Sequence, residues 1–119
     1  MPETQAELSV RQEGDIRLVE FQTRKILDDL QIQQIGERLS ELAKSGPGVK
    51  LLLDFSHVEH LSSAALSVLI NLNRQVSEAG GRLVLANIHQ PILEVFKITR
   101  LNKLFDIRNT TQEAMKALS

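Results

Sequence analysis

Residues 51–66 contain the side chains best suited to chemistry. A run of leucines leads into Asp54, two histidines follow at His57 and His60, and Ser62 and Ser63 stand before an alanine-rich segment. A serine at the start of a helix accepts a hydrogen bond from a backbone N–H group that lacks a partner inside the helix. The same hydroxyl can also accept a phosphate. The segment therefore predicts a buried strand, a loop and a helix that opens at the serine pair.

The histidines could also hold a metal ion. His57 and His60 are three residues apart and His89 stands further along the chain, but the pair falls in a predicted loop. No set of carboxylates and histidines completes a tetrahedral arrangement, and the chain has no cysteine to supply thiolates. We therefore interpret these residues as surface histidines, and we expect no metal and no bound cofactor.

Asp54 at a strand end could instead be the phosphoacceptor of a response-regulator receiver. Such a site needs an acidic cluster after the first strand to hold Mg²⁺, and the early strands offer only Asp15 and Glu20. Acyl transfer lacks the Gly-x-Ser-x-Gly motif around either serine, and no Gly-rich phosphate loop is present. The residues therefore favour a protein that is not an enzyme.

The surrounding elements predict an α/β fold. Two strands flank the turn Glu13-Gly14-Asp15, and strand and helix patterns then alternate to the end of the chain. Gly46-Pro47-Gly48 and Gly80-Gly81 end the first two helices, and Pro91 opens the third. Strands are expected at 8–11, 15–21, 49–53, 82–86 and 104–107, and helices on the stripe Leu27, Leu30, Ile35, Leu39 and Leu42 and at 62–79, 92–98 and 111–118.

Length and composition place these elements in one domain. The 119 residues fit a single core, with the folded part at about 8–118, and 42% are hydrophobic. The net charge of −1 argues against a nucleic-acid partner. No apolar stretch approaches the roughly 20 residues that span a bilayer, and residues 1–13 lack a secretory signal. We therefore expect a cytoplasmic protein without membrane contact.

Several segments together resemble the STAS domain, and in particular the bacterial anti-sigma-factor antagonists. The resemblance covers roughly residues 15–118. It implies a mixed sheet of about four to five strands with about four helices, mainly on one face. It rests on Ser-Ser-Ala-Ala-Leu at 62–66, Val-Leu-Ile at 68–70, Gly-Gly-Arg-Leu-Val-Leu at 80–85 and Val-Phe-Lys-Ile-Thr-Arg-Leu-Asn-Lys-Leu-Phe at 95–105.

The resemblance also assigns roles at the start of the second helix. In the family this helix usually opens Asp-Ser-Ser-Gly-Leu-Gly, and the first serine receives phosphate from a kinase that is also an anti-sigma factor. Ser62 takes the aspartate position, Ser63 the phosphorylated serine and Ala64 the second serine, while Ala65 and Ser67 replace the two glycines. Ser63 is thus the predicted phosphorylation site, Ser62 the weaker candidate and the more probable helix cap.

The resemblance implies a binding module whose partner is an anti-sigma factor or serine kinase, with the kinase supplying ATP and Mg²⁺. Phosphate on Ser63 would add about −1.5 to −2 charges at a helix N-terminus, which tolerates them, and would alter the partner surface. That surface is predicted to comprise the loop 54–61, the start of the second helix and the third helix. Its named residues are Asp54, Ser56, Ser62, Ser63, Ala64, Ser67, Asn87 and Gln90.

Two alternatives keep the fold without the switch. A constitutive scaffold or assembly subunit would pack with similar domains as a homo-oligomer, and the missing aspartate at position 62 favours it. A ligand-sensing STAS domain would bind a nucleotide or lipid. Stoichiometric phosphate on Ser63 distinguishes the switch from both.

Overall fold

The computed structural model describes residues 3–5 and 8–119, with side chains described from residue 8 onward. Its main sheet has six strands in the order β1-β2-β3-β5-β7-β8. The first three pair antiparallel and the rest of the sheet is parallel. These strands are β1 (Glu3–Gln5), β2 (Leu8–Glu13), β3 (Ile16–Phe21), β5 (Lys50–Asp54), β7 (Arg82–Ala86) and β8 (Asp106–Arg108).

Within the described residues, four α-helices and a short second sheet accompany the main sheet. The strands β4 (Lys25–Ile26) and β6 (His60–Leu61) form a parallel pair of their own. The helices are α1 (Asp29–Ala43), α2 (Ser63–Glu78), α3 (Gln90–Ile98) and α4 (Thr111–Leu118), and a 3₁₀ turn, η1 (Leu101–Lys103), follows α3. The expected mixed α/β fold is therefore confirmed, while β1 and the β4–β6 pair were not predicted.

The sheet is covered on both faces, but unequally. Leu51, Leu53 and Leu85 on one face join the main core with buried residues of α1, α2 and α3. On the other face Leu18 and Leu52 lie in a smaller cluster with residues of α4. The helices therefore pack mainly on one face, and the apolar residues predicted on both sides of β3 are buried on both sides.

Most boundaries agree with the expected ones to within two residues, with α3 beginning at Gln90 just before Pro91, and two differences affect how particular residues are interpreted. Helix α1 begins after Asp28, whose carboxylate accepts a hydrogen bond from the Gln31 N–H, so Leu27 lies outside the helix. Leu27 and Leu30 are 50% and 62% exposed and do not belong to the buried stripe. The last strand begins at Asp106 because a tight turn occupies the residues before it.

The two glycines after α2 have different roles: Gly80 ends the helix, and Gly81 allows close packing. Gly80 has φ +73°, the left-handed conformation that ends α2. At Gly81 a Cβ atom would lie only 2.2 Å from the carbonyl oxygen of Val49. The Arg82 N–H donates to that same oxygen at 2.9 Å as β7 begins beside β5. The hydrogen bond therefore needs a close approach of the two backbones, which a side chain at position 81 would prevent.

Candidate functional site

The candidate site lies at the edge of the sheet where the parallel strands end. Strand β5 ends at Asp54, the loop 55–59 crosses to β6, and α2 begins directly after β6. The Ser62 N–H donates to the Ile26 carbonyl at 3.1 Å, which fixes the start of α2 beside β4. The N-termini of α1 and α2 consequently lie close together at this edge.

The two serines have different structural roles. Ser62 is the N-cap of α2, and its Oγ accepts a hydrogen bond from the Ala65 N–H at 3.2 Å. Ser63 occupies the first helical position and is exposed. Its carbonyl accepts the Ser67 hydroxyl at 3.2 Å, but its own hydroxyl has no partner within residues 8–119. The fold thus uses Ser62 as the cap and leaves the Ser63 hydroxyl available.

The backbone around Ser63 suits an added negative charge. The first N–H groups of a helix have no partner inside the helix, and here the cap satisfies only that of Ala65. The first turn of α2 contains no acidic residue. A phosphate at this position would therefore meet free N–H donors and the positive end of the helix dipole.

Asp54 is buried and Asn87 half-buried, and a direct hydrogen bond joins their side chains. Asp54 is only 8% exposed, and its Oδ1 accepts hydrogen bonds from Ser56 N–H at 2.9 Å and Asn87 Nδ2 at 3.0 Å. Asn87 Nδ2 also donates to the Thr111 Oγ1 at 2.9 Å. Asn87 has φ +59°, a conformation that asparagine tolerates better than most residues. These two residues therefore hold the loop in place.

Further contacts fix the loop on either side. His89 Nε2 lies 2.6 Å from the Ser56 carbonyl oxygen and ties the loop to the start of α3. On the other side Arg24 donates two hydrogen bonds to the Glu59 carboxylate, at 3.1 and 3.0 Å. The hydrogen bonds from Arg24 hold the pKa of Glu59 below its usual value. The segment that leads to Ser63 is thus held at both ends.

The predicted partner residues therefore divide into two groups. Ser63, Ala64, Ser67 and Gln90 are exposed at the surface, and Ser62 is half-buried beside them. Ser56 is half-buried and contributes its backbone to the loop. Sequence reasoning missed Leu27 and Leu30, the exposed apolar side chains next to the start of α2, because their spacing matched a buried helical stripe.

The histidines do not assemble into a metal site. Within the described residues no group of three or more His, Asp or Glu side chains is placed to hold an ion. His57 instead lies 3.4 Å from the Glu20 carboxylate, and His60 is exposed on β6. Across the same part of the chain, no helix has the length and apolar character needed to cross a bilayer.

Comparison with known proteins identifies the family. The model of the STAS domain matches residues 7–114. The chain belongs to the STAS domain family. Over 71 residues it is 31% identical to the anti-sigma-B factor antagonist of Bacillus subtilis, covering 60% of this chain and 63% of that protein. The chain thus spans about three fifths of the length of the curated relatives it matches, 59% to 63%.

Solved structures of STAS proteins share the fold. An anti-sigma-factor antagonist (STAS) domain protein of Planctomyces limnophilus superposes with a TM-score of 0.83 at 21% identity, over 94% of this chain and 97% of that one. The Bacillus cell fate determinant SpoIIAA in its phosphorylated form gives a TM-score of 0.70 at 16% identity, over 94% and 99%. At these identities the likeness shows the shared fold alone.

Proposed function

We propose that this STAS domain is a regulatory binding module of the anti-sigma-factor-antagonist kind, and that phosphorylation of Ser63 controls its partner contact. The partner would be an anti-sigma factor that is also a serine kinase, which would transfer the γ-phosphoryl group of ATP to the Ser63 hydroxyl. The observation that carries the proposal is the division between the two serines: Ser62 caps α2, and the Ser63 hydroxyl is exposed with no structural role.

The effect of the phosphate would be local. Free N–H groups at the start of α2 can accommodate the added charge, so the domain would stay folded. A partner docking on Ser63, Ser67 and the exposed leucines Leu27 and Leu30 would meet about two negative charges at the middle of its contact. If the partner presents apolar or acidic groups opposite Ser63, the phosphate repels it. No conformational change in the domain is needed.

Known relatives support the same kind of function. The Bacillus subtilis relative is named as an anti-sigma-B factor antagonist, and SpoIIAA of the same fold has been solved in a phosphorylated form. Both properties are extended to this chain as part of the proposal. The domain would act by binding another protein, in the cytoplasm, and not by catalysing a reaction.

The test is mass spectrometry of the protein isolated from its native host, with and without phosphatase. We expect phosphate on Ser63, lost in Ser63→Ala and retained in the matched variant Ser67→Ala, which removes a hydroxyl one turn later. Ser63→Asp should weaken binding of the partner kinase about tenfold, because the substitution places a negative charge inside the contact. Phosphate on neither serine under any growth condition, together with a stable oligomer, would instead establish the constitutive scaffold.

A further inference from the structure

The end of α3 and the turn after it form a protruding surface that the Ser63 site does not use. Ile98 is 80% exposed, Leu104 47% and Val95 40%. Lys97, Arg100 and Lys103 stand between and beside them, all exposed. We call this surface the α3 corner: Val95, Lys97, Ile98, Arg100, Lys103 and Leu104.

Packing inside the turn explains why these side chains point outward. Phe96 and Phe105 are buried and meet edge to face, with ring centroids 5.7 Å apart. With Phe96 facing the core, Val95 and Ile98, three residues apart, share the opposite side of α3. The core thus buries the two rings, while Val95 and Leu104 stay partly exposed and Ile98 is almost fully exposed.

The charge of the corner is one-sided. Residues 95–105 contain three cations and no carboxylate, although the whole chain has a net charge of −1. Within residues 8–119, no acidic side chain lies within ion-pair distance of Lys97, Arg100 or Lys103. By contrast, Arg82 and Arg108 both pair with Asp106, at 3.0 and 2.7 Å.

The backbone conformation of Arg100 is a further unusual feature of the corner. It has φ +63°, a left-handed conformation that is unfavourable for a side chain of this kind and natural for glycine. The turn needs that conformation, since Arg100 N–H donates to Lys97 O and Lys103 N–H to Arg100 O. Glycine would suit this backbone better than arginine. The presence of arginine here therefore points to a functional role for its guanidinium group.

The corner lies away from Ser63. Helix α3 starts near the end of β7, at the same edge of the sheet as the start of α2. Its nine residues extend about 13 Å from that edge, back along the sheet. Leu104 precedes β8, whose first residue pairs with Val84 in the middle of β7. The corner consequently lies toward the opposite edge of the sheet, where phosphate on Ser63 would be largely screened.

We propose that the α3 corner is a second docking surface, for a protein partner that presents an apolar pocket bordered by carboxylates. Ile98 is the side chain that enters the pocket, and the three cations pair with its rim. An anionic membrane is the less suitable occupant, because the apolar side of α3 with Ile92 and Phe96 is committed to the core and only isolated side chains could insert. This docking is independent of the proposed switch.

Photocrosslinking in the native host tests the corner directly. A photoreactive phenylalanine analogue replaces Ile98, and in a control protein it replaces Gln112, an exposed residue of α4 on the other sheet face. We expect an adduct from position 98 alone, to a protein segment containing apolar residues and carboxylates. The adduct should persist in Ser63→Asp, so that failure of the switch and failure of the corner are distinguished.

Charge variants test whether the cations of the corner contribute to docking. Lys97→Glu with Lys103→Glu should lower the adduct yield about fivefold, whereas Lys44→Glu, at an exposed cation elsewhere, should not. Arg100→Gly should lower the yield while leaving stability equal or higher, because glycine relieves the left-handed backbone. No adduct, an adduct to lipid or to a second copy of this chain, or a yield indifferent to the cations would each overturn the proposal.

Discussion

Substitution of Asn87 tests whether the loop before Ser63 is held by the hydrogen bonds described above. Its Nδ2 group donates to the Asp54 carboxylate at 3.0 Å and to the Thr111 hydroxyl at 2.9 Å. Asp54 is 8% exposed, so water can replace the lost donor only in part. A hydrogen bond to a charged group contributes about 1.5–3 kcal/mol. Asn87→Gly, which keeps the left-handed backbone, should therefore lower the free energy of unfolding by about 2 kcal/mol.

A pair of variants separates the side chain from the backbone. Asn87→Ala loses the same hydrogen bonds and also places an alanine at φ +59°, which costs about 1 kcal/mol more. Thr111→Val removes only the second acceptor and should cost less than either. Urea unfolding measures all three, and for a domain of this size 2 kcal/mol corresponds to a midpoint lowered by about 1 M.

Two results would refute this reasoning. If Asn87→Gly unfolds at the wild-type midpoint, the contact with Asp54 does not stabilise the domain. If Asn87→Ala is as stable as Asn87→Gly, the left-handed conformation is not a constraint at this position. A stability loss in Asn87→Gly with no change in capture of the proposed kinase would show that the contact supports the fold and not the partner loop.

Three other expectations follow from the same structure. Ser62→Ala should lower the free energy of unfolding by about 1 kcal/mol through loss of the α2 cap, whereas Ser63→Ala should leave it nearly unchanged in thermal unfolding. Gly81→Ala should destabilise by about 3 kcal/mol or prevent folding, because its Cβ would overlap the Val49 carbonyl oxygen; circular dichroism would detect this. The lowered pKa of Glu59 means that its ion pair stabilises the fold above the unfolded pKa of about 4.5 and loses that effect as pH falls through the folded value. Wild type and Glu59→Gln should therefore converge in stability in acid, and a constant difference from pH 7 to pH 3 would contradict this.

The fold was predictable because periodicity and glycine placement are local signals. The leucine run of β5, the serine pair and Gly80-Gly81 each marked an element within a few residues. Leu27 and Leu30 misled the same reasoning, since their spacing fits a buried stripe although Asp28 starts the helix between them. Only the cap geometry resolves such a case, because periodicity cannot tell which apolar residues precede the first turn.

The start of α2 at the serine pair was predictable, but the hydrogen bonds made by the residues around it were not. Asp54 and Asn87 are polar residues at the ends of neighbouring parallel strands, which indicated a partner surface. Their direct hydrogen bond depends on strand register and on the left-handed backbone of Asn87, and neither is encoded in local sequence pattern. The third helix was predicted as part of a partner surface, but which of its apolar side chains stay exposed could not be predicted, because that depends on where Phe96 and Phe105 pack.

The positions of the two proposed surfaces have a consequence for regulation. Under the two proposals, partner contact at Ser63 would depend on phosphate, whereas the α3 corner lies toward the other edge of the sheet and would bind a partner through its three cations. A partner held at the corner would remain bound when Ser63 is phosphorylated, because the corner lies toward the other edge of the sheet and salt screens the added charge. The domain would then release one protein while keeping another, which a surface confined to α2 could not do.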